Sequence, residues 1–542
     1  MPESWHGSLG FLRTTFSLGH LLQWITEGKG VMRESSRLVG LAVILFAAYP
    51  AILILVATAN GPGISIDSVS YAAAANSWAD SGRLLGFNGE SLSIFPGGMP
   101  VVVGTFMWMG VDGSVAVSVI NALAIAMTVL ATYFLGRQVL RKPGWSLLAA
   151  GIVSLATSTV RVGSYFWTEP VFTALITWAL VLTVWAVRIR TVSWWLPIAV
   201  GLLVSASSSY RFVGIVALPV LAAGVLWASQ SRRWVNGLTV VLVGSVGFVG
   251  SVARNLILGA PAFGDRSPGS VDAQGAVLGL VNLWGEYIAP STTTSLTAVF
   301  GAVVLVLLVA GAWLLVMMRS YSGIVTAAFV AVYWVAILAS QVGTRLDVAT
   351  ERFGAPALAP SVVVFLVAIR ALLDTMSRQI GELVKREQGT VHSWISVIAA
   401  VLLLAVVGLS SVHTMRFVTE ARTQGLGIAS AASMDSAVAR LAQGLPSGAV
   451  VASNDPWRVW WARGTGVVLD YPPTLVEWPM DRVESDIARL VRAVGNEGSA
   501  LVLIDEQGRA SLPLSQLAQR GLTATEIGTE DGVTLWELAP AN

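Results

Sequence analysis

The sequence predicts a polytopic α-helical membrane protein that carries a small soluble α/β domain at its C-terminal end. Three observations lead there. Hydrophobic residues make up 55% of the 542 residues against 12% charged, with mean hydropathy +0.71, a balance foreign to soluble globular chains. Apolar runs of about 20 residues, enough to cross a hydrocarbon core, recur between positions 38 and 412. The loops between them alternate in basic density, as the positive-inside rule requires.

The runs lie near 38–59, 115–135, 144–160, 169–187, 192–209, 212–229, 234–252, 293–317, 322–342, 354–373 and 393–412, which gives eleven transmembrane helices. A further apolar run, MPVVVGTFMWMG at 99–110, is about 12 residues long and suits a helix lying at the interface. Charge supports leaving it out of the count. With the amino end inside, the inner loops hold Lys29, Arg33 and Arg37; Arg137, Arg141 and Lys142; Arg188 and Arg190; Arg232 and Arg233; Arg319; and Arg378, Lys385 and Arg386. The outer segments hold Arg83, Arg161, Arg211, Arg254, Arg266, Arg345 and Arg352, spread over more chain. Counting 99–110 as a span would invert every later loop.

This divides the chain into a cytoplasmic N-terminal segment 1–37, a transmembrane domain 38–412 whose first outer loop and juxtamembrane helix occupy 60–114, and an extracytoplasmic domain 413–542. Residues 1–37 lack a cleavable signal pattern. They read either as an amphipathic surface helix around FLRTTFSLGHLLQWI or as an over-long start, with Met32 the alternative first residue. In the tail, the helical patterns MDSAVARLAQGL and DRVESDIARLVRAVG alternate with the strand-like AVVAS, ALVLID and VTLWEL, and neither a phosphate loop nor a nucleophile elbow occurs. Trp457, Trp460 and Trp461 in the tail would either stack on sugars or pack the domain.

Nucleic acid is excluded as a partner by a net charge of +2 and the lack of a basic cluster. No cysteine is present, and His6, His20, His392 and His413 are too dispersed to hold a metal. The conspicuous polar residues collect on the outer side. Asp67 and Tyr71 follow the first span, Glu169 opens the fourth within SYFWTEPVF, Arg211 opens the sixth within SSSYRFVG, Arg254 lies in RNLILG, and Arg352 in TRLDVATERFGAP. Taken singly, each has an ordinary explanation: an arginine at a helix end snorkels to headgroups, and an acid before proline marks a helix start. Together they suit one outward cavity. Transfer of a sugar from a lipid phosphate to a hydroxyl needs a carboxylate to take the proton and cations to hold the phosphate. Asp67 fits the first role, and Arg254 and Arg352 the second. Tyr71, one helical turn from Asp67, would share its face and position an acceptor or the acidic side chain.

The order of DSVSYAAAANSWADSGRL, IFPGGMPVVVGTFMWMG, TEPVFTAL, YRFVG, RNLILGAPAFGDRSPG and ERFGAPALAP resembles the bacterial membrane glycosyltransferases of the GT-C fold. The group concerned is related to the dolichyl-phosphate-mannose protein mannosyltransferases and the lipid A aminoarabinose transferase. The resemblance covers roughly 38–373. It implies a polyprenyl-phosphate-linked sugar donor, an active site at the outer face of the cytoplasmic membrane, and inversion at the anomeric carbon. The acceptor would be an envelope glycan, glycolipid or protein. By the same resemblance Asp67 is the catalytic base, Glu169 positions the acceptor or the loop, and Arg352, Arg254 and, more weakly, Arg211 bind the carrier phosphate.

Two departures matter. Many relatives carry paired acids where this chain has single ones, so a divalent metal would need Asp67 and Glu169 together or help from a substrate phosphate. FPGGMP stands where relatives often show Pro-Pro-Gly, which would loosen that turn. A polymerase or ligase acting on lipid-linked glycans would not need the Asp67 acid, and a transporter would show charges in mid-helix. A non-catalytic envelope scaffold is the remaining class.

Overall fold

The computed structural model describes residues 32–264, 271–288, 294–344, 350–384, 408–464, 466–471, 480–497, 499–505 and 512–541. In the helical part, α1 is Met32–Ala57, α2 Ile66–Ser81, α3 Gly98–Trp108, α4 Gly113–Val139, α5 Pro143–Leu155, α6 Thr157–Ser164, α7 Glu169–Ile189 and α8 Trp195–Tyr210. A 3-10 turn, Phe212–Ala217, leads into α9 Leu218–Ala228. Then come α10 Arg233–Ile257, α11 Ala273–Ile288, α12 Thr294–Met317, α13 Tyr321–Gly343 and α14 Glu351–Val384. A further helix, α15, covers 408–424.

Among the described residues, seven helices are long and apolar enough to cross a membrane, and the bent pair α5 and α6 would make an eighth if counted as one span. The chain is a multi-pass membrane protein. The most apolar stretches of α4, α7 and α14 are 61%, 72% and 61% buried, against 28%, 17% and 28% for α1, α10 and α12, so the first three form the centre of the bundle. On α10 the exposed residues Trp234, Leu238, Leu242, Val246 and Val249 follow the helical period along one lipid-facing stripe.

Of the eleven expected spans, seven fall on these long helices, and the other four differ. The span at 144–160 bends by 50° at Ala156, whose extended backbone stops the helical ladder, and Thr159 Oγ1 donates to Val153 O at 2.7 Å near the break. The helices α8 and α9 are short because the chain turns extended at Arg211; the 16 residues of α8 reach only about 24 Å. The eleventh expected span, 393–412, lies largely outside the described residues. The run at 99–110 forms α3, an 11-residue helix lying against α2.

The C-terminal unit holds β1 Val451–Ser453, β2 Val468–Asp470, β3 Ala500–Asp505, β4 Leu522–Glu530 and β5 Val533–Pro540, in the order β2-β1-β3-β5-β4. The β1–β2 and β1–β3 pairs are parallel, and β5 is antiparallel to β3 and β4. Its helices are α16 Ala431–Met434, α17 Ala437–Gln443, α18 Pro456–Arg463, α19 Met480–Glu497 and α20 Leu514–Ala518. Since α15 runs through the expected boundary at 412/413, the sheet-bearing unit begins after it. This unit docks on the first loop. Val468 N–H donates to Phe87 O at 3.0 Å, Arg489 pairs with Glu90 at 3.3 Å, and Trp457 meets Phe87 edge-on. Trp460 is buried, with Nε1 donating to Gly466 O at 3.0 Å. Trp460 thus packs inside the unit, and Trp457 packs at its contact with the first loop.

Candidate active site

Asp67 lies in the first turn of α2, which begins at a reciprocal cap. The Ser68 N–H reaches Ser65 Oγ at 3.3 Å, and the Ser65 N–H reaches Ser68 Oγ at 3.0 Å. The unpaired N–H groups of that turn favour an acid there. Tyr71 is one turn on and 1% exposed, its ring edge-on to Phe95 at 4.9 Å. Burial, and after it the charge of Asp67, pushes the Tyr71 hydroxyl well above the ordinary tyrosine range, so it stays protonated. Enclosed in this way, Tyr71 is better suited to shaping the surroundings of Asp67 than to meeting an acceptor.

Glu169 opens α7 and is 1% exposed. Two guanidiniums converge on its Oε1, Arg211 through Nη1 and Arg352 through Nε, while Thr168 Oγ1 donates to Oε2 at 3.3 Å. Arg211 reaches Glu169 from the extended break after α8, and Arg352 from the first turn of α14. The Nη2 of Arg352 lies 2.5 Å from Oδ2 of Asp67. That ion pair is too oblique to be a hydrogen bond, and Nη2 makes none among the described residues. The four side chains form one neutral cluster of two acids and two arginines, and such mutual pairing is what makes burying these charges tolerable.

The backbone around Arg352 is itself held. Tyr287 donates to Glu351 O at 3.3 Å and Tyr333 to Phe353 O at 2.9 Å. The R-x-x-x-P spacing puts Pro356 where the N–H for the Arg352 carbonyl would be. Neither tyrosine was legible as a site residue, because a tyrosine inside an apolar helix carries no positional signal. Arg161, which alone reads as a snorkelling residue, pairs with Glu351 at 2.9 Å and lies over Phe417. Trp167, visible only as part of WTEP, has Arg352 over its ring.

Arg254 is not joined to this cluster. Its Nη2 donates to Leu92 O at 2.5 Å, Phe95 O at 3.2 Å and Asn255 Oδ1 at 2.9 Å, and Asn255 Nδ2 holds Ser93 O at 2.8 Å. The Arg254-Asn255 pair therefore clamps the loop that presents Phe95 to Tyr71. Gly98, which the FPGGMP pattern suggests as a loosening residue, has a packing reason instead: a Cβ there would stand 2.5 Å from Ser209 O. Arg266, Arg345 and Asp347 lie outside the described residues.

The acids do not fit a divalent metal as they stand. Glu169 is saturated by two guanidiniums, Asp67 is paired with one of the same two, that of Arg352, and no three Asp, Glu or His side chains gather among the described residues. A hard cation needs several free oxygens.

No family model and no curated protein matches the sequence. Solved structures do resemble the fold. ArnT from Cupriavidus metallidurans bound to undecaprenyl phosphate superposes with a TM-score of 0.54 at 13% identity, over 91% of this chain and 97% of that one. The same protein in the apo state gives 0.56 at 14% identity, with the same coverage. The archaeal oligosaccharyltransferase AglB from Archaeoglobus fulgidus, in complex with an inhibitory peptide and a dolichol-phosphate, gives 0.54 at 11% identity, over 92% of this chain and 74% of that one. What is shared at these identities is architecture, and on that ground the chain has the GT-C fold.

Proposed function

We propose that the protein is an inverting glycosyltransferase that moves a monosaccharide from a polyprenyl-phosphate carrier to an acceptor hydroxyl. Asp67 is the general base. The acceptor oxygen attacks the anomeric carbon, its proton passes to Asp67, the bond from that carbon to the phosphate oxygen breaks, and the polyprenyl phosphate leaves. Arg352 receives the phosphate with Arg211 behind it, and Glu169 holds both arginines. The observation that carries this reading is Arg352 itself: one guanidinium bound to a buried acid through Nε, with Nη2 turned to Asp67 but not hydrogen-bonded. Arginine suits phosphate because its donors form a planar fork. Similar folds carry undecaprenyl phosphate and a dolichol-phosphate, which supports a polyprenyl carrier here. The Arg254 clamp supports a loop-holding role in place of phosphate binding.

In this reading the site faces the outside of the cytoplasmic membrane, with the amino end inside and the C-terminal unit outside. Arg141, Arg190 and Arg319 follow helix ends with positive φ, and Arg232 caps the start of α10 in the left-handed conformation, a region usually left to glycine. All four fall in the inner loops of the charge-derived topology, where cations are favoured. The acceptor is an envelope glycan, glycolipid or protein reaching the site beside the docked C-terminal unit. The test incubates full-length protein with a panel of polyprenyl-phosphate sugars and follows release of polyprenyl phosphate by mass spectrometry. Release is expected from one donor and abolished by Asp67→Asn. Undiminished release by that variant refutes the assigned base.

A further inference from the structure

The Asp67 helix and Arg352 come from distant parts of the chain, and their registration depends on what touches both. Trp167 does. Its Nε1 donates to Ser65 Oγ at 2.8 Å, the oxygen that also caps the helix carrying Asp67. Its ring is stacked on Tyr165, with centroids 4.4 Å apart and planes 13° from parallel, and the Arg352 guanidinium carbon is 5.0 Å from the ring centroid. Two residues later the chain supplies Glu169, the acid that binds Arg352 Nε.

We propose that Trp167 is a positioning residue that fixes the Arg352 guanidinium relative to Asp67. The ring face holds the guanidinium plane by a cation–π contact, while the indole N–H holds the cap of the Asp67 helix. Tyr165 stiffens the indole. The backbone beneath supports the same register: Gly63 N–H donates to Ser164 O at 2.8 Å, and Phe166 N–H donates to Gly63 O at 2.9 Å. A partly desolvated cation–π contact of this kind corresponds to about a tenfold effect on ligand affinity when the ligand depends on that cation's placement.

This inference rests on the reading of Arg352 as the phosphate ligand, and its test separates the two. Affinity of the full-length protein for undecaprenyl phosphate is measured for wild type, Trp167→Leu, Trp167→Phe, Arg352→Gln and the Trp167→Leu/Arg352→Gln double variant. Trp167→Leu is expected to weaken binding about tenfold in the wild-type background and less than about twofold in the Arg352→Gln background. Trp167→Phe, which keeps a ring face, is expected to stay within about threefold of wild type. An equal loss in both backgrounds means that Trp167 acts only as structural support and overturns the proposal, as does wild-type affinity in Trp167→Leu. If Arg352→Gln itself binds as wild type does, the phosphate assignment fails, and the positioning role falls with it.

Discussion

Replacing Asp67 by Asn should move carrier affinity and turnover in opposite senses. Without substrate, Arg352 Nη2 is occupied by the Asp67 carboxylate at 2.5 Å. A phosphate oxygen on the same nitrogen would lie roughly 5 Å from that carboxylate, where two like unit charges repel by about 3 kcal/mol at an effective dielectric constant of about 20. The Asp67 side chain is 27% exposed, so solvent reduces this to about 1–2 kcal/mol, a factor of roughly 5–30 in affinity. Asp67→Asn removes the repulsion and the base together. Affinity for undecaprenyl phosphate, read by native mass spectrometry, is expected to rise about tenfold, while turnover falls by about 10²–10⁴. An Asp67 that only supports the fold would give weaker binding and lower thermal stability instead, and that pattern would refute the reasoning. The same competition implies that the carrier phosphate binds first and frees the base.

Three further outcomes follow from the geometry. Glu169→Ala leaves Arg211 and Arg352 buried without their shared acid, at a cost of about 3–5 kcal/mol, seen as a lower melting temperature and loss of transfer; wild-type melting would count against the cluster. Gly427→Ala places a Cβ 2.1 Å from Ile64 O at a φ of +64°, where the C-terminal segment bonds the residue before the Ser65 cap through Ile428 N–H to Ile64 O at 2.8 Å. It should cost about 1–3 kcal/mol and lower turnover, and an unchanged melting curve would contradict that. Tyr71→Phe should leave the pH–rate profile unchanged between about pH 6 and 9, because the Tyr71 hydroxyl remains protonated there. The linkage has a definite sign. A raised tyrosine value gives stability that is complete below the ordinary value of 10.0 and lost as pH rises through the raised one, so only strongly alkaline melting should differ. A shift of the alkaline limb near pH 8 would be incompatible.

Much of the site was legible because its acids sit at helix starts, where sequence signals are strong. Asp67 follows a serine cap, and Glu169 precedes proline. That Gly98–Trp108 forms a short helix, apart from the long spans, was legible from the length of its apolar run. Arg254 was not: its side-chain direction depends on the Leu92 and Phe95 carbonyls, some 160 positions away, and a sequence pattern contains no such distance. Arg211 could be read as a snorkelling residue until the fold placed Glu169 beside it. In the tail, β3 and β5 carry longer apolar runs and β1, only three residues, extends the run AVVAS, whereas β2, also three residues, follows the glycines of RGTGVVLD, and β4 reads LTATEIGTE, largely exposed. Strands that short or that polar leave little hydrophobic pattern to detect.

The central claim is that Arg352, shared between Glu169 and Asp67, is where the carrier phosphate arrives. A structure of the full-length protein with undecaprenyl phosphate tests it most directly. The account predicts the phosphate within hydrogen-bond distance of Arg352 Nη2, with Glu169 still bound to Nε and Asp67 released. A phosphate held elsewhere, with the Asp67–Arg352 pair intact, would contradict it.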